Sequence, residues 1–378
     1  ETLMNTKEVA EIRRRFRPEK SNITHVRGCY VNGEREIISQ FSQSLALTPQ
    51  EESEKILAVL KRTLSGTLGK NLIDIAFTTQ QVVESSEHNR LMAMRNSALT
   101  DEEAIQAFYQ KVIESVSLDG HYLILLACDT YDVPYRSKDG ERQEEVSSEV
   151  FSYFVCSICP VKLTQPALSY FANDNLLHNR TADWIVAPPE LGFLFPAFDD
   201  RSANIYNALY YSRDLTENHK EFVDAVFHSE IPMPAAEQKE TFQSILEETL
   251  CDDCNYEVVQ AVHEQLRETL EEHKANKEPE PPVVSKDTIK NVLEVCEVSQ
   301  EKVAAFEERY DAQFGAETDL SPCNLMESKL EIRTPDVTIH VSPERSDLVE
   351  TRVIDDKKYI LIRAEDEVVV NGVAIHIS

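Results

Sequence analysis

The sequence predicts an α+β fold: a main domain with a mostly antiparallel sheet and flanking helices, and a smaller C-terminal domain of two helices followed by a β meander. Three observations predict it. Apolar runs of strand length, such as 121–128 and 150–160, alternate with hairpin signals and long helical stretches rather than with one helix per strand, which favours pairing between neighbours. Residues 276–286, NKEPEPPVVSK, are rich in Pro and charge and have no apolar period, so they read as a linker between domains at 1–275 and 287–378. Finally, 378 residues at 42% hydrophobic exceed one ordinary core, while 28% charged suits a folded, soluble chain.

Met4 reads as the natural start, after Glu1-Thr2-Leu3. Residues 5–17 form a predicted helix in which Val9, Ile12 and Phe16 make one apolar stripe and Pro18 is the stop. Strands at 25–31 and 34–39 flank Asn32-Gly33, a dipeptide that favours the two positive φ angles of a tight hairpin. Thr48-Pro49 opens a helix that buries Ile56, Leu57, Leu60 and Leu64. A strand at 71–77 and helices at 83–98 and 101–116 follow, the second capped by Thr100 with Glu103 in a capping box.

Residues 121–128 form a wholly apolar strand, and 131–149 a polar loop. The segment 150–198 reads as the core of the main domain. It holds the densest aromatics and the single Trp, Trp184, with strands near 150–160, 182–187 and 191–197 and a further one at 205–211. Helices at 217–227 and 235–275 precede the linker. Beyond it, a helix capped by Ser299 buries Val303, Phe306, Tyr310 and Phe314 and ends at Gly315. The meander at 328–377 turns at Thr334-Pro335-Asp336, Asp355-Asp356 and Asn371-Gly372.

A formal charge of −29 opposes broad binding to DNA phosphates or anionic lipid and favours basic partners. The charge is uneven: residues 1–35 carry eight bases against five acids, and 235–280 thirteen acids against four bases. The N-terminus has no apolar stretch of the kind a secretion signal needs, and the longest apolar run, 122–128, is far short of a membrane span. A cytoplasmic location with no membrane partner is therefore expected. Eight Cys in a chain of this length then read as free thiols, and the sequons at Asn22 and Asn179 as chance.

Candidate chemistry is sparse. Cys156 and Cys159 form a C-x-x-C, as do Cys251 and Cys254, and together they would supply four zinc ligands. The pairs are far apart in sequence, however, and three steps along a strand put Cys156 and Cys159 on opposite faces. Core packing is the expectation for the first pair and an inert turn for the second, whose Asp252 and Asp253 oppose thiolate formation. No bound metal is expected there.

Asp129 and Asp132 follow one predicted strand, and Asp199, Asp200 and Arg201 another. If the strands are neighbours, the carboxylates converge as a site for Mg²⁺ or Mn²⁺ and hence for hydrolysis or phosphoryl transfer, with His25, His178 and Tyr131 as accessory groups. Asp after a strand is also the ordinary turn residue.

Arg13, Arg14, Arg15 and Arg17, with Arg27 nearby, form the basic cluster. It suits nucleic acid, a phosphorylated ligand or the chain's own acids. Gly66-Thr67-Leu68-Gly69-Lys70 is too short for a phosphate loop, and the S-x-x-K at Ser299 has no accompanying K-T-G.

Five stretches together, EIRRRFRPEK (11–20), RGCYV (27–31), ACDTYDVPY (127–135), GFLFPAFDDRSANIYNALYY (192–211) and PERSDLVETRVIDDKKYILI (343–362), resemble a bacterial family of unknown function. It is number 4317 among the domains of unknown function, found in Gram-positive anaerobes. The resemblance spans nearly the whole chain from Met4. It implies a bacterial cytoplasmic protein and assigns no activity and no site residue. The leading expectation is a non-enzymatic binding or regulatory protein, with a protein or nucleic-acid partner at the Arg cluster and no cofactor. A metal-dependent hydrolase at Asp129, Asp132, Asp199 and Asp200 is the alternative.

Overall fold

The structure is a computed structural model that describes residues 4–136, 142–276, 280–326, 330–364, 368–370 and 373–375. It divides into two compact units, one formed by residues up to Glu237 with a short stretch near 280, the other by the remainder from Gln238 onward.

The first unit is built on an antiparallel sheet. Its strands are β1 (His25–Val31), β2 (Ile37–Ser44), β3 (Leu72–Ala76), β4 (His121–Arg136) and β5 (Arg142–Leu163). A separate hairpin, β6 (Ala167–Phe171) and β7 (Leu176–Arg180), precedes β8 (Trp184–Val186) and β9 (Leu191–Phe195). A second small hairpin, β10 (Ala197–Asp199) and β11 (Ser202–Asn204), leads into β12 (Asn207–Ser212). The main path runs β2-β1-β4-β5-β9-β12-β3, with β8 beside the end of β5, which makes eight strands among the described residues.

Both faces of this sheet are covered, which explains why β5 and β9 read as near-continuous apolar runs and not as alternation. On one face lie α4 (Ser86–Asn96), α5 (Glu102–Ser115) and α6 (Lys220–Phe227). They pack Leu91, Phe108, Val112, Phe222 and Phe227 against Ile124, Phe154, Phe193 and Tyr210. The other face carries α1 (Thr6–Arg13) and α2 (Gln50–Arg62), with Val9, Ile12, Leu57 and Leu60 against Ala127, Phe151, Val155 and Leu194. Gly192 in β9 is needed for close approach. A Cβ there would sit 2.2 Å from the Cys156 carbonyl oxygen and 2.8 Å from Thr63 Cγ2.

Several local expectations are corrected. The β1–β2 turn is longer than two residues: Arg35, at φ 64°, takes the left-handed position, and Asn32 Oδ1 instead accepts from the Glu34 and Glu36 N–H groups at 3.0 and 2.9 Å. Helix α5 is capped by Asp101, whose side chain accepts from Ala104 N at 3.0 Å, because the Thr100 hydroxyl donates to Ser97 O instead. The helix expected at 83–98 is two, α3 (Thr79–Glu84) and α4, broken at Ser85, where ψ is 136°. The expected loop at 131–149 is largely strand: β4 and β5 stay paired out to Arg136 and Arg142, with irregularities around Pro134. Trp184 lies on the surface at 51% exposure, so the core segment is interrupted between Leu163 and Val186.

The second unit contains α7 (Ala235–Leu250, whose first residues belong to the first unit), α8 (Tyr256–Asn276), α9 (Lys286–Val295), α10 (Gln300–Phe314) and α11 (Pro322–Leu325). Phe242, Ile245, Val262 and Leu266 share one core with Ile289, Leu293, Phe306 and Tyr310. Helices α7 and α8 therefore pack with the C-terminal helices, and the division falls before the Pro-rich stretch; of that stretch, residues 277–279 lie outside the described residues.

Among the described residues the expected meander is instead three separate hairpins: β13 (Leu330–Arg333) with β14 (Thr338–Val341), β15 (Val349–Ile354) with β16 (Lys357–Ile362), and β17 (Val368–Val370) with β18 (Val373–Ile375). Between the first two the chain takes a 3₁₀ turn at Pro343–Leu348, which breaks the ladder. Thr334–Val337 and Asp355-Asp356 do form turns, the latter with φ 49° and 59°. Asn371-Gly372 lies outside the described residues.

Candidate functional site

The N-terminal helix organises the polar groups that the sequence singles out. Asn5 caps α1, accepting from Lys7 and Glu8 N–H at 3.0 and 3.1 Å, and Glu8 Oε2 accepts in return from Asn5 N at 2.9 Å. With the apolar stripe of α1 buried in the sheet, Glu8, Glu11 and Arg15 reach β4 and the β10–β11 turn.

Arg15 turns inward. Its Nε and a terminal nitrogen donate to Asp129 at 3.1 and 3.3 Å, and its guanidinium lies 4.8 Å over the Tyr131 ring. Asp129 also accepts from Asn22 N and from the Tyr153 hydroxyl, each at 2.8 Å, and its carboxylate has no exposed surface. Burial, then the neighbouring Asp129 charge, pushes the Tyr153 hydroxyl well above its usual range.

Beside this pair, Arg201 grips Glu11 with bonds of 2.9 and 2.7 Å and donates to the Pro134 carbonyl at 2.9 Å. The Tyr131 hydroxyl donates to the same Glu11 at 2.7 Å. Asp200 and Arg201 sit at φ 46° and 59°, a two-residue turn that glycine would enter more easily, and the Arg201 contacts offset that backbone cost. Glu8 accepts from Arg201 N at 3.3 Å, and burial first, with Asp199 adding repulsion, raises its pKa. Asp199 accepts from Asn204 at 3.1 Å.

These groups make a clamp. Asp129 has four donors around it, and Glu11 has Arg201 and Tyr131, so neither presents a free lone pair to a cavity as a general base requires. The convergence expected of a metal site is not what forms. Asp129 is buried while Asp132, three steps on along a regular part of β4, is exposed on the opposite face. Asp199 is buried and Asp200 exposed. Among the described residues no group of three or more His, Cys, Asp or Glu side chains is placed to hold a metal ion. His25 is exposed beside Thr24, and His178 lies on the β6–β7 hairpin against Phe171.

The basic cluster is divided by the same geometry. Arg14 and Arg17 are exposed, Arg13 is half-buried and Arg15 is in the clamp. Arg27 is held by Glu102, with two bonds of 2.7 Å, and by the Leu99 carbonyl at 3.0 Å. Cys156 faces the α5 side of the sheet and Cys159 the α2 side, both fully buried. Burial pushes the Cys159 thiol up to about 12. In the second unit Cys251 is exposed and Cys254 half-buried at a 3₁₀ turn, where Lys302 meets Asp253 at 2.9 Å.

What sequence reading missed is the surface of the segment taken for core. The β6–β7 hairpin pairs Leu168 with Asn179 and Tyr170 with Leu177 on one face, and Phe171 with Leu176 on the other. All five apolar side chains are exposed, Leu168 at 69% and Tyr170 at 61%, and exposed Trp184, Ile185 and Val186 continue the apolar surface along β8. Two strands alone are marginally stable in water, so this arm is held at its root by Thr164 and Asp183, whose backbone bond is 2.8 Å. The sequence signal for it is the low charge of 163–187, where Asp174, Arg180 and Asp183 are the only formally charged residues.

A protein-family profile described as "Domain of unknown function (DUF4317)" matches residues 4–373. The chain belongs to this family. The DUF4317 description carries no activity, so none passes to these residues, and no curated protein matches the chain. The quoted stretches that suggest the family contain much of the clamp: Glu11 and Arg15, then Asp129, Tyr131 and Pro134, then Asp199 and Arg201.

Proposed function

We propose that this chain is a non-enzymatic binding protein of the bacterial cytoplasm whose partner is another protein, engaged by the β6–β8 arm. The observation that carries this reading is the arm itself, with apolar side chains exposed on both faces of the β6–β7 hairpin. Covering Leu168, Tyr170 and Leu177 would contribute on the order of 5 kcal/mol before the costs of association. The buried thiols and the saturated Asp129 support a binding role over a catalytic one. The eight free cysteines suit a reducing compartment. Among the described residues no helix is long and apolar enough to cross a membrane.

A photo-crosslinking amino acid at Tyr170, compared with one at exposed Gln80 in α3, tests the reading in cells. The expected result is one protein captured from position 170 only, whose purified form loses binding by more than about tenfold when Leu168, Tyr170 and Leu177 become Ser. Equal binding to that triple variant, or no capture, would remove it. Gel-shift affinity that falls steeply with salt and needs Arg14 and Arg17 would instead favour a nucleic-acid partner.

A further inference from the structure

A cavity of about 540 Å³ lies inside the second unit, between helix α8 and strand β13. On the helix side it is lined by Tyr256, Gln260, His263 and Arg267, with Val259 beside them. These residues recur at steps of three or four, so they form one half-buried stripe next to the Val258, Val262 and Leu266 stripe that α8 buries. On the strand side the cavity touches Leu330, Glu331, Ile332 and Arg333, the whole of β13, and among the described residues none of β14. Successive side chains of a strand point to opposite faces, so a space that touches four in a row runs along the strand's edge and not over one face. That edge is open: among the described residues β13 pairs with β14 alone.

We infer that this cavity is a binding site for an extended, uncharged peptide that pairs with the edge of β13 and lies along the α8 stripe. The dimensions select an extended chain. Four strand residues span about 13 Å, and Tyr256 to Arg267 spans about 16 Å of helix. A volume of about 540 Å³ over about 14 Å leaves a width of roughly 6 Å, room for one strand at the usual spacing of about 4.8 Å but not for a helix of about 10 Å. The polar groups select a peptide over a hydrocarbon chain. Gln260 Nε2 donates to Glu264 at 2.9 Å, while Gln260 Oε1 is buried and accepts from no group. A buried acceptor without a donor is costly, and so is an unpaired strand edge against hydrocarbon. Peptide N–H and C=O groups satisfy both, and an acyl chain satisfies neither. Charge selects an uncharged segment. Although residues 235–280 carry thirteen acids against four bases, the formal charges on the lining balance, Glu264 and Glu331 against Arg267 and Arg333.

The walls also set the side-chain pattern. Leu330 and Ile332 are half-buried and Glu331 and Arg333 exposed, so alternate positions of an added strand share the apolar side with Leu330 and Ile332. Val259 and Met326 add apolar surface to the same space. Those alternate positions take Val, Ile or Leu, and the intervening ones Ser or Thr. The Tyr256 hydroxyl donates to the Ser346 carbonyl at 3.3 Å, which joins α8 to the 3₁₀ turn after β14 before a ligand arrives. The site shares no residue with the β6–β8 arm, and it takes an extended segment where the arm offers an apolar surface.

Fluorescence polarisation of the full chain with a dye-labelled, end-blocked hexapeptide of alternating Val and Thr tests the inference. The expected result is saturable binding below about 100 μM that changes less than about twofold between low and about 0.5 M salt, as an uncharged ligand requires. N-methylation of alternate backbone amides should abolish binding in one phase, the one that faces β13. Gln260→Met should weaken binding about fivefold, the worth of one hydrogen bond, with circular dichroism unchanged. Bound peptide should slow backbone hydrogen exchange at 330–333. Replacing Leu168, Tyr170 and Leu177 by Ser should leave this binding as it is, which separates the site from the arm. No binding up to about 1 mM, parent-like binding of both methylated peptides, or exchange that slows only outside β13 would overturn the inference. Binding of dodecanoate in place of the peptide would overturn it in favour of an acyl-chain site.

Discussion

Arg15→Ala should destabilise the first unit by about 2–4 kcal/mol while leaving the surface charge that a polyanion would meet almost intact. The reasoning starts from Asp129, whose carboxylate is wholly buried and accepts from Arg15 at 3.1 and 3.3 Å. Removing one member of a buried ion pair typically costs about 3–5 kcal/mol, because the other charge stays desolvated and unbalanced. Two features reduce that here. Asn22 N and the Tyr153 hydroxyl still donate at 2.8 Å each, and the Arg15 side chain is 14% exposed, so water can enter its place. Loss of the guanidinium over Tyr131 adds several tenths of a kcal/mol. Urea unfolding followed by backbone hydrogen exchange in β1 and β4 isolates the first unit from the helices of the second. Arg15→Ala combined with Asp129→Asn should recover part of the loss, since the stranded charge is gone. A loss under about 1 kcal/mol, or strict additivity of the two substitutions, would refute the clamp. Arg14→Ala and Arg17→Ala, at exposed positions, should each change stability by less than about 0.5 kcal/mol.

Two further outcomes follow from the buried groups. Glu8 has a pKa raised above its ordinary value of 4.5, so its contribution favours folding below that value and is lost as pH rises through the raised one. Glu8→Gln keeps an acceptor for the cap, so unfolding free energies measured at pH 4 and pH 7 should shift in the variant's favour at the higher pH; a shift toward wild type would mean that Glu8 is a stabilising anion. In a thiol titration of the native chain at pH 8, Cys251 should react at once, and Cys29, Cys156 and Cys159 only on unfolding, since burial pushes Cys29 to about 11 and Cys159 to about 12. Rapid reaction at Cys156 or Cys159 would contradict their assignment to packing.

Much of the fold follows from periodicity that can be counted along the chain. Val9, Ile12 and Phe16 place α1 on the sheet, and the strand parity of Cys156 and Cys159 sends them to opposite faces. The start of α2 directly after Pro49 and the turn at Asp355-Asp356 are local chemistry, and local chemistry is legible because its causes lie within a few residues. The same parity rule separates Asp129 from Asp132, because both lie on one continuous strand, three steps apart.

Partner choice across the chain is a different matter. That Arg15 pairs with Asp129 while Arg14 faces water depends on where α1 crosses β4, more than a hundred residues away. The exposure of Leu168 and Tyr170 is also a tertiary outcome. An apolar alternating run has the same sequence signature whether its neighbours are helices or solvent, and only strand order decides which. β5 is covered on both faces where β4 and β9 flank it, and the hairpin that follows Leu163 is not. By itself, then, the sequence determines the α+β class, many of the helices and strands, the face that α1 buries, and the family. The tertiary structure decides which charges are spent on one another, which apolar strands are left outside, and that β2 is an edge, because each of these is set by contacts between segments whose positions no local pattern encodes.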